Sequence, residues 1–361
     1  MKYRFAILAG AAALVFSNAS NALTFNFTFL PGTTAQAQQG FIDAGMRWSA
    51  LFSDPVTIDL TVGQQSLGSS TLAAVSLTTS SFSYSNFKSA LTSDQVTATD
   101  TLAVSNLPGG PSFGMLINRT ADNPNGSGSA TPYVDSVGAN NAMIRMSNAN
   151  AKALNLSPVL AIVGQCASAC DGSIVFNSDT FWDYNPNDGI ISSAFDFVGI
   201  AAHEIGHTLG FISGVDVLDT NSPPNGSPLA ADQLTFVSSL DMFRFSAASI
   251  AAGGLGTIDW TANTTAKYFS LDKGATVGAS FSTGDIHGDF QQASHWKDGQ
   301  GLGIMDPTAA PGEALVVGAN DEMAFDAIGW NLSPIPEPQT YALFAMGLLG
   351  LALRRRALRR D

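Results

Sequence analysis

Histidine, cysteine and charge are all scarce in this chain. Of its 361 residues, four are histidine, two are cysteine and 12% are charged, against 45% hydrophobic. Two cysteines rule out a scaffold stapled by several disulfides. The one C-x3-C pair, Cys166 and Cys170, also lacks the second pair that a cysteine-ligated zinc site requires. The pair reads as a small disulfide closing a loop, with two free thiols as the alternative. Low charge with this much apolar material excludes a disordered chain and provides for a substantial core. A net charge of −13 argues against nucleic acid and anionic membrane surfaces as partners. No internal repeat marks a solenoid or propeller, and no EF-hand or calcium-repeat motif is present.

Two of the four histidines stand together, in the stretch His203-Glu204-Ile205-Gly206-His207-Thr208-Leu209-Gly210-Phe211. On a helix, residues four apart leave one face about 6 Å apart along the axis, so His203 and His207 can grip one metal ion. Glu204 follows the first of them, where it can reach a water bound to that ion without ligating it. This is the layout of a zinc hydrolase. Two partly buried histidines on an amphipathic helix are the bland alternative. The preceding run from Phe195 to Ala202 is apolar nearly all round, as in a helix buried through a large domain, and Asp196 or Ser193 can cap its start. Gly210 can end it in a sharp turn.

A helix that delivers two ligands and stops needs a third from elsewhere. No glutamate occurs between Glu204 and Glu313, so a second-helix glutamate ligand is hard to place. In the compact pattern HExxHxxGxxH the third histidine would fall at position 213, where this chain has Ser213. The favoured replacement is His295, because Trp296 follows it and a glycine-rich loop then leads to Met305-Asp306-Pro307. Asp216 and His287 are the other candidates. Three neutral imidazoles would leave Zn2+ its full charge and one open position, with Glu204 as general base. No motif identifies an oxyanion donor, and Tyr184 and Tyr268 read as packing residues.

His203, Glu204, His207, Gly210 and Phe211, an insertion, then His295, Trp296 and Met305 together resemble the leishmanolysin-like branch of the metzincin zinc metalloproteases. The resemblance implies that Met305 lies in a tight turn beneath the metal as a soft floor, not as a ligand. It also implies an α+β fold, a twisted mixed sheet with the active-site helix above a cleft and an irregular, mostly helical and loop lower subdomain. The upper subdomain would span 23–210 and the lower 211–333. A strand near Ser173 to Asn177 would edge the cleft and pair with an extended protein or peptide substrate. Neither cysteine lies near the amino end, so no residue is at hand for a thiolate that blocks zinc.

Local patterning fills in the elements. Strands are expected over Leu23 to Leu30, Val56 to Val62, Val159 to Val163 and Ile174 to Asn177. Helices are expected over Ala35 to Phe52, Ala149 to Leu156 and Asp321 to Ile328, the last with an apolar face of Met323, Phe325, Ala327 and Ile328 and a packing role. Pro108 to Gly138 reads as a long loop or insertion.

The ends of the chain concern its destination. Lys2 and Arg4 precede an apolar run from Phe5 to Phe16, and Ser20 and Ala22 fit signal-peptidase cleavage before Leu23, so residues 1–22 read as a signal peptide. In 334–361, Pro336-Glu337-Pro338 is followed by an apolar stretch from Tyr341 to Leu353 and by Arg354, Arg355, Arg356, Arg359 and Arg360. This tail resembles the PEP-CTERM sorting signal of Gram-negative bacteria, which implies processing by an exosortase-type enzyme and transient membrane association. As a plain anchor the stretch covers only about 20 Å of helix against a hydrocarbon core of about 30 Å, although an ordinary single-span anchor remains the alternative. The expected location is the cell envelope, outer surface or extracellular matrix. The expected function is an exported zinc endopeptidase. A surface or matrix protein on a degenerate protease fold, and a zinc hydrolase of non-peptide bonds, are the alternatives.

Overall fold

The computed structural model describes residues 23–69 and 71–334. The expected signal segment 1–22 and the tail beyond residue 334 lie outside the described residues. What is described is a mixed α+β structure with several small sheets.

The largest sheet has four strands in the order Thr24–Phe29, Thr57–Gln65, Gly172–Asn177, Ala73–Leu77. The first three run parallel and the last is antiparallel. Alternation in Thr-Phe-Asn-Phe-Thr-Phe puts Phe25, Phe27 and Phe29 on one face, stacked with ring centroids 5.8 and 6.1 Å apart. Helix Ala35–Leu51 lies on that face, and the close approach is made through Gly45, where a Cβ would stand about 3.0 Å from the Phe27 ring. Thr34 caps this helix by accepting the Ala37 N–H at 3.2 Å. The expected strand, helix and strand at the start are thus all present, with the second strand extended to Gln65.

Gly172–Asn177 is buried at every residue and has a hydrogen-bonded strand on each side. The expectation that it edges a cleft is therefore overturned. Ala73–Leu77 pairs with it from Ala73 opposite Phe176 to Leu77 opposite Gly172, and this short strand takes the edge. No strand forms over residues 159–163. Val159, Leu160 and Ile162 are exposed there, their apolar character unmatched by any partner strand. The disulfide between Cys166 and Cys170 follows directly.

The expected loop from Pro108 to Gly138 carries two short strands, Met115–Ile117 and Tyr133–Asp135, paired antiparallel. Met115–Ile117 also pairs in parallel with Ile258–Asp259 from far along the chain. After Leu209 come short helices, 3-10 turns and an antiparallel sheet of Arg244–Phe245, Lys267–Phe269 and Ser280–Phe281. The last helix is Ala319–Ala327. Met323 is 41% exposed and leaves the expected apolar face, whereas Asp321, at the helix start, is buried.

Candidate metal centre

Helix Phe197–Leu209 runs through the core, with every residue buried except Glu204, which is half-buried. Asp196 caps it by accepting the Gly199 N–H at 2.8 Å, and also accepts the Leu315 N–H at 3.1 Å. Two tryptophans fix the helix lengthwise. Trp48 Nε1 donates to the Ala202 carbonyl at 2.9 Å and Trp330 Nε1 to the Leu209 carbonyl at 2.8 Å. Gly210, at φ 121°, ends the helix in a backbone region that favours glycine. The turn brings the Phe211 carbonyl back to His207 Nδ1 at 2.7 Å.

Three histidines converge. His203, His207 and His295 are 9%, 6% and 7% exposed. Their Nε2 atoms form a triangle with sides of 3.1 Å (203 to 207), 3.1 Å (207 to 295) and 3.3 Å (203 to 295). Each Nδ1 faces a backbone carbonyl: Ile304 at 2.8 Å from His203, Phe211 at 2.7 Å from His207, and Gln292 at 3.3 Å from His295. A carbonyl accepts only, so each Nδ1 carries the proton and each Nε2 is left with a bare lone pair. Three acceptors pointed at one another repel unless a cation stands among them. Nitrogens about 2.0–2.1 Å from a tetrahedral zinc lie about 3.3 Å apart, close to the sides of this triangle. The group is able to hold a metal ion.

Electrostatics favour the same state. Burial, with the neighbouring imidazole of His203, pushes His207 down to about 3. Burial holds His203 and His295 below the usual histidine range as well, so all three rings are neutral at physiological pH, as metal ligands must be. Glu204 is raised to about 7 by burial. Among the described residues nothing hydrogen-bonds its carboxylate, which borders two cavities flanking the histidines. One, of about 390 Å³, is lined by Leu72, Ile200, His203, Asp306, Thr308 and Leu315 among others. The other, of about 440 Å³, is lined by Val75, Leu77, His207, Asp216, Gln292 and His295 among others. The edge strand Ala73–Leu77 contributes to both.

Met305 is fully buried and its sulfur lies against Gly206, on the turn between the two helix histidines. Trp296 locks the two histidine-bearing segments together. Its ring meets Phe211 edge to face at 4.9 Å and stacks on Phe281 at 4.8 Å, and its backbone N–H donates to the Met305 carbonyl at 2.9 Å.

The remaining candidates do not join the histidine group. His287 is outside the histidine group, and its backbone N–H donates to Asp219 at 3.0 Å. Asp216 is engaged with backbone: its carboxylate accepts the Ala293 N–H at 2.6 Å, the Ser294 N–H at 3.2 Å and the Ser294 hydroxyl. Neither tyrosine lines the cavities. Tyr184 accepts from Gln64 and Tyr268 donates to the Gly274 carbonyl.

Two charged residues near the centre, Asp321 and Arg244, were not among the site candidates offered by the sequence, in which Asp321 only begins the last helix. Asp321 accepts Trp296 Nε1 at 2.8 Å and the backbone N–H groups of Ile304, Met305 and Gly318 at 2.7, 3.3 and 2.7 Å. It therefore sets the carbonyl that orients His203. Arg244, buried to 1% exposure, donates to the carbonyls of Ala293 at 3.2 Å and Ser282 at 2.5 Å. Buried charges carry no local sequence signal that could have singled them out.

Residues 334–356 match the family model of the PEP-CTERM protein-sorting motif. The chain is an exported protein. The motif assigns it to the surface-sorted proteins of Gram-negative bacteria and implies exosortase processing. No curated protein and no solved structure matches the chain. Among the described residues no helix is long and apolar enough to cross a membrane.

Proposed function

We propose that this exported protein is a zinc-dependent endopeptidase of the metzincin kind, acting on proteins outside the cytoplasm. The observation that carries the reading is the convergence of three bare Nε2 lone pairs beside a carboxylate that nothing among the described residues hydrogen-bonds. His203, His207 and His295 would hold zinc, which so bound would supply a Lewis acid and lower the pKa of a bound water to about 7. Glu204 takes the proton of the attacking water and returns it to the leaving amine. Its raised affinity for protons suits a group that must pass one on, and the adjoining cation would draw that affinity back down.

Substrate is proposed to lie along Ala73–Leu77, whose outer backbone edge is unpaired by the sheet, adding a strand across the two cavities. In this reading 23–210 and 211–333 are the upper and lower walls of the cleft. Met305 packs under the histidines and contributes no ligand.

The test is digestion of an unstructured protein such as casein by the purified exported chain. Cleavage that a chelator abolishes and zinc restores is the expected result. Full cleavage in chelator, or none with one zinc bound per chain, would end the endopeptidase reading.

A further inference from the structure

The metal centre draws its third histidine from a loop, residues 290–295, with no helix or strand to stiffen it. Two oppositely charged side chains, half-buried Asp216 and buried Arg244, grip that loop instead. On one side Asp216, in the helix Val215–Thr220, accepts both consecutive N–H groups of Ala293 and Ser294 and the Ser294 hydroxyl. On the other, Arg244 donates to the Ala293 carbonyl and, through its second terminal nitrogen, to the Ser282 carbonyl. The Ala293–Ser294 peptide is thus held by its own N–H and C=O at once, with the N–H of the preceding peptide held as well, next to His295. Ser282 completes the frame: its N–H donates to the His295 carbonyl at 3.0 Å and its hydroxyl to the Trp296 carbonyl at 2.8 Å. Arg244 is fixed in its turn by the Phe281 ring 4.9 Å below the guanidinium and by the charges of Asp241, Asp259, Asp216 and Asp289.

We infer that Asp216 and Arg244 are positioning residues that place His295 on the metal, so that the tightness of the three-histidine site is set by this charged clamp. Asp216 looks like a ligand by sequence position, yet both its oxygens are taken by the loop that carries the ligand. Removing one arm frees the peptide next to His295 while leaving His203 and His207 on their helix. The third bond should then weaken selectively. Outer partners of this kind typically alter metal affinity by about 10–100-fold.

The inference rests on the three-histidine metal reading, and the experiment separates the two. Zinc affinity by chelator competition, and the visible spectrum of the cobalt-loaded protein, are compared for wild type, Asp216→Asn, Arg244→Lys and His295→Ala, with circular dichroism confirming that each metal-free variant is folded. The inference predicts one metal per wild-type chain, zinc affinity lowered about 10–100-fold in Asp216→Asn and Arg244→Lys, and a cobalt spectrum moved towards that of His295→Ala. Wild-type affinity and spectrum in both clamp variants, with His295→Ala impaired, would overturn the clamp alone. No stoichiometric metal in wild type, or none lost in His295→Ala, would overturn the metal reading itself. Should Asp216→Asn fail to fold, Ser294→Ala removes one of the three donors to Asp216, with a smaller loss of affinity expected and an unchanged one contradicting the clamp.

Discussion

Gly206 lies directly against Met305: a Cβ at position 206 would stand 2.5 Å from the Met305 sulfur and 3.3 Å from Trp48. Because Gly206 precedes His207 on the same turn, the methionine sets how close the helix comes to the loop that follows His295. Gly206→Ala should destabilise by about 1–3 kcal/mol, the usual range for overpacking a filled core, and weaken zinc binding. Met305→Ala in the same chain should recover part of both losses. Thermal unfolding and chelator competition on the single and double variants measure this, and strict additivity would contradict the contact.

Asp321 holds four donors from fully buried surroundings, among them the N–H groups of Ile304 and Met305. Asp321→Ala leaves those donors unsatisfied, at about 1–3 kcal/mol for each buried group, so a loss of at least about 3 kcal/mol in denaturant unfolding is expected. Because the Ile304 carbonyl orients His203, zinc affinity should fall as well.

The raised Glu204 carboxyl makes a pH-dependent statement about the metal-free protein. Its pKa is about 7 in the folded chain against an ordinary 4.5. Folding therefore meets no penalty below about 4.5, one that grows as pH rises from about 4.5 to about 7, and a constant one above that. Metal-free Glu204→Gln should unfold at a temperature higher than metal-free wild type at pH 8, by a few degrees, and at the same temperature at pH 4. A difference that does not change with pH would contradict the burial of this carboxylate.

Histidine substitutions discriminate within the small set of four. His295→Ala should lower zinc affinity by about 100-fold or more, the scale expected when a direct ligand is removed instead of an outer partner. His287→Ala, outside the group, should bind zinc as wild type does. Equal losses in the two variants would contradict the assignment.

The helix and its two histidines were legible because their information is local: an apolar run, a histidine pair four residues apart, an aspartate cap and a terminal glycine all lie between Phe195 and Gly210. His295 could be reached because so few histidines compete for the role. The order of strands could not. Gly172–Asn177 has the composition of a strand, but whether it is central or at the edge depends on Ala73–Leu77, a short Ala-Ala-Val-Ser-Leu segment with little pattern of its own. Val159 to Val163 fails in the opposite way, with β-branched residues but no partner. Asp216, Arg244 and Asp321 act by gripping backbone of distant segments; the sequence offered Asp216 only as a ligand, and nothing around Arg244 or Asp321 marks a side chain that will be buried for that purpose.

The most direct test of the whole account is proteolysis and bound metal measured together on one pair of proteins, wild type and Glu204→Gln. The account predicts one zinc per chain in both, chelator-sensitive cleavage of casein in wild type, and cleavage reduced at least about 100-fold in the variant, the lower range for loss of a general base. Undiminished cleavage by zinc-loaded Glu204→Gln would contradict it.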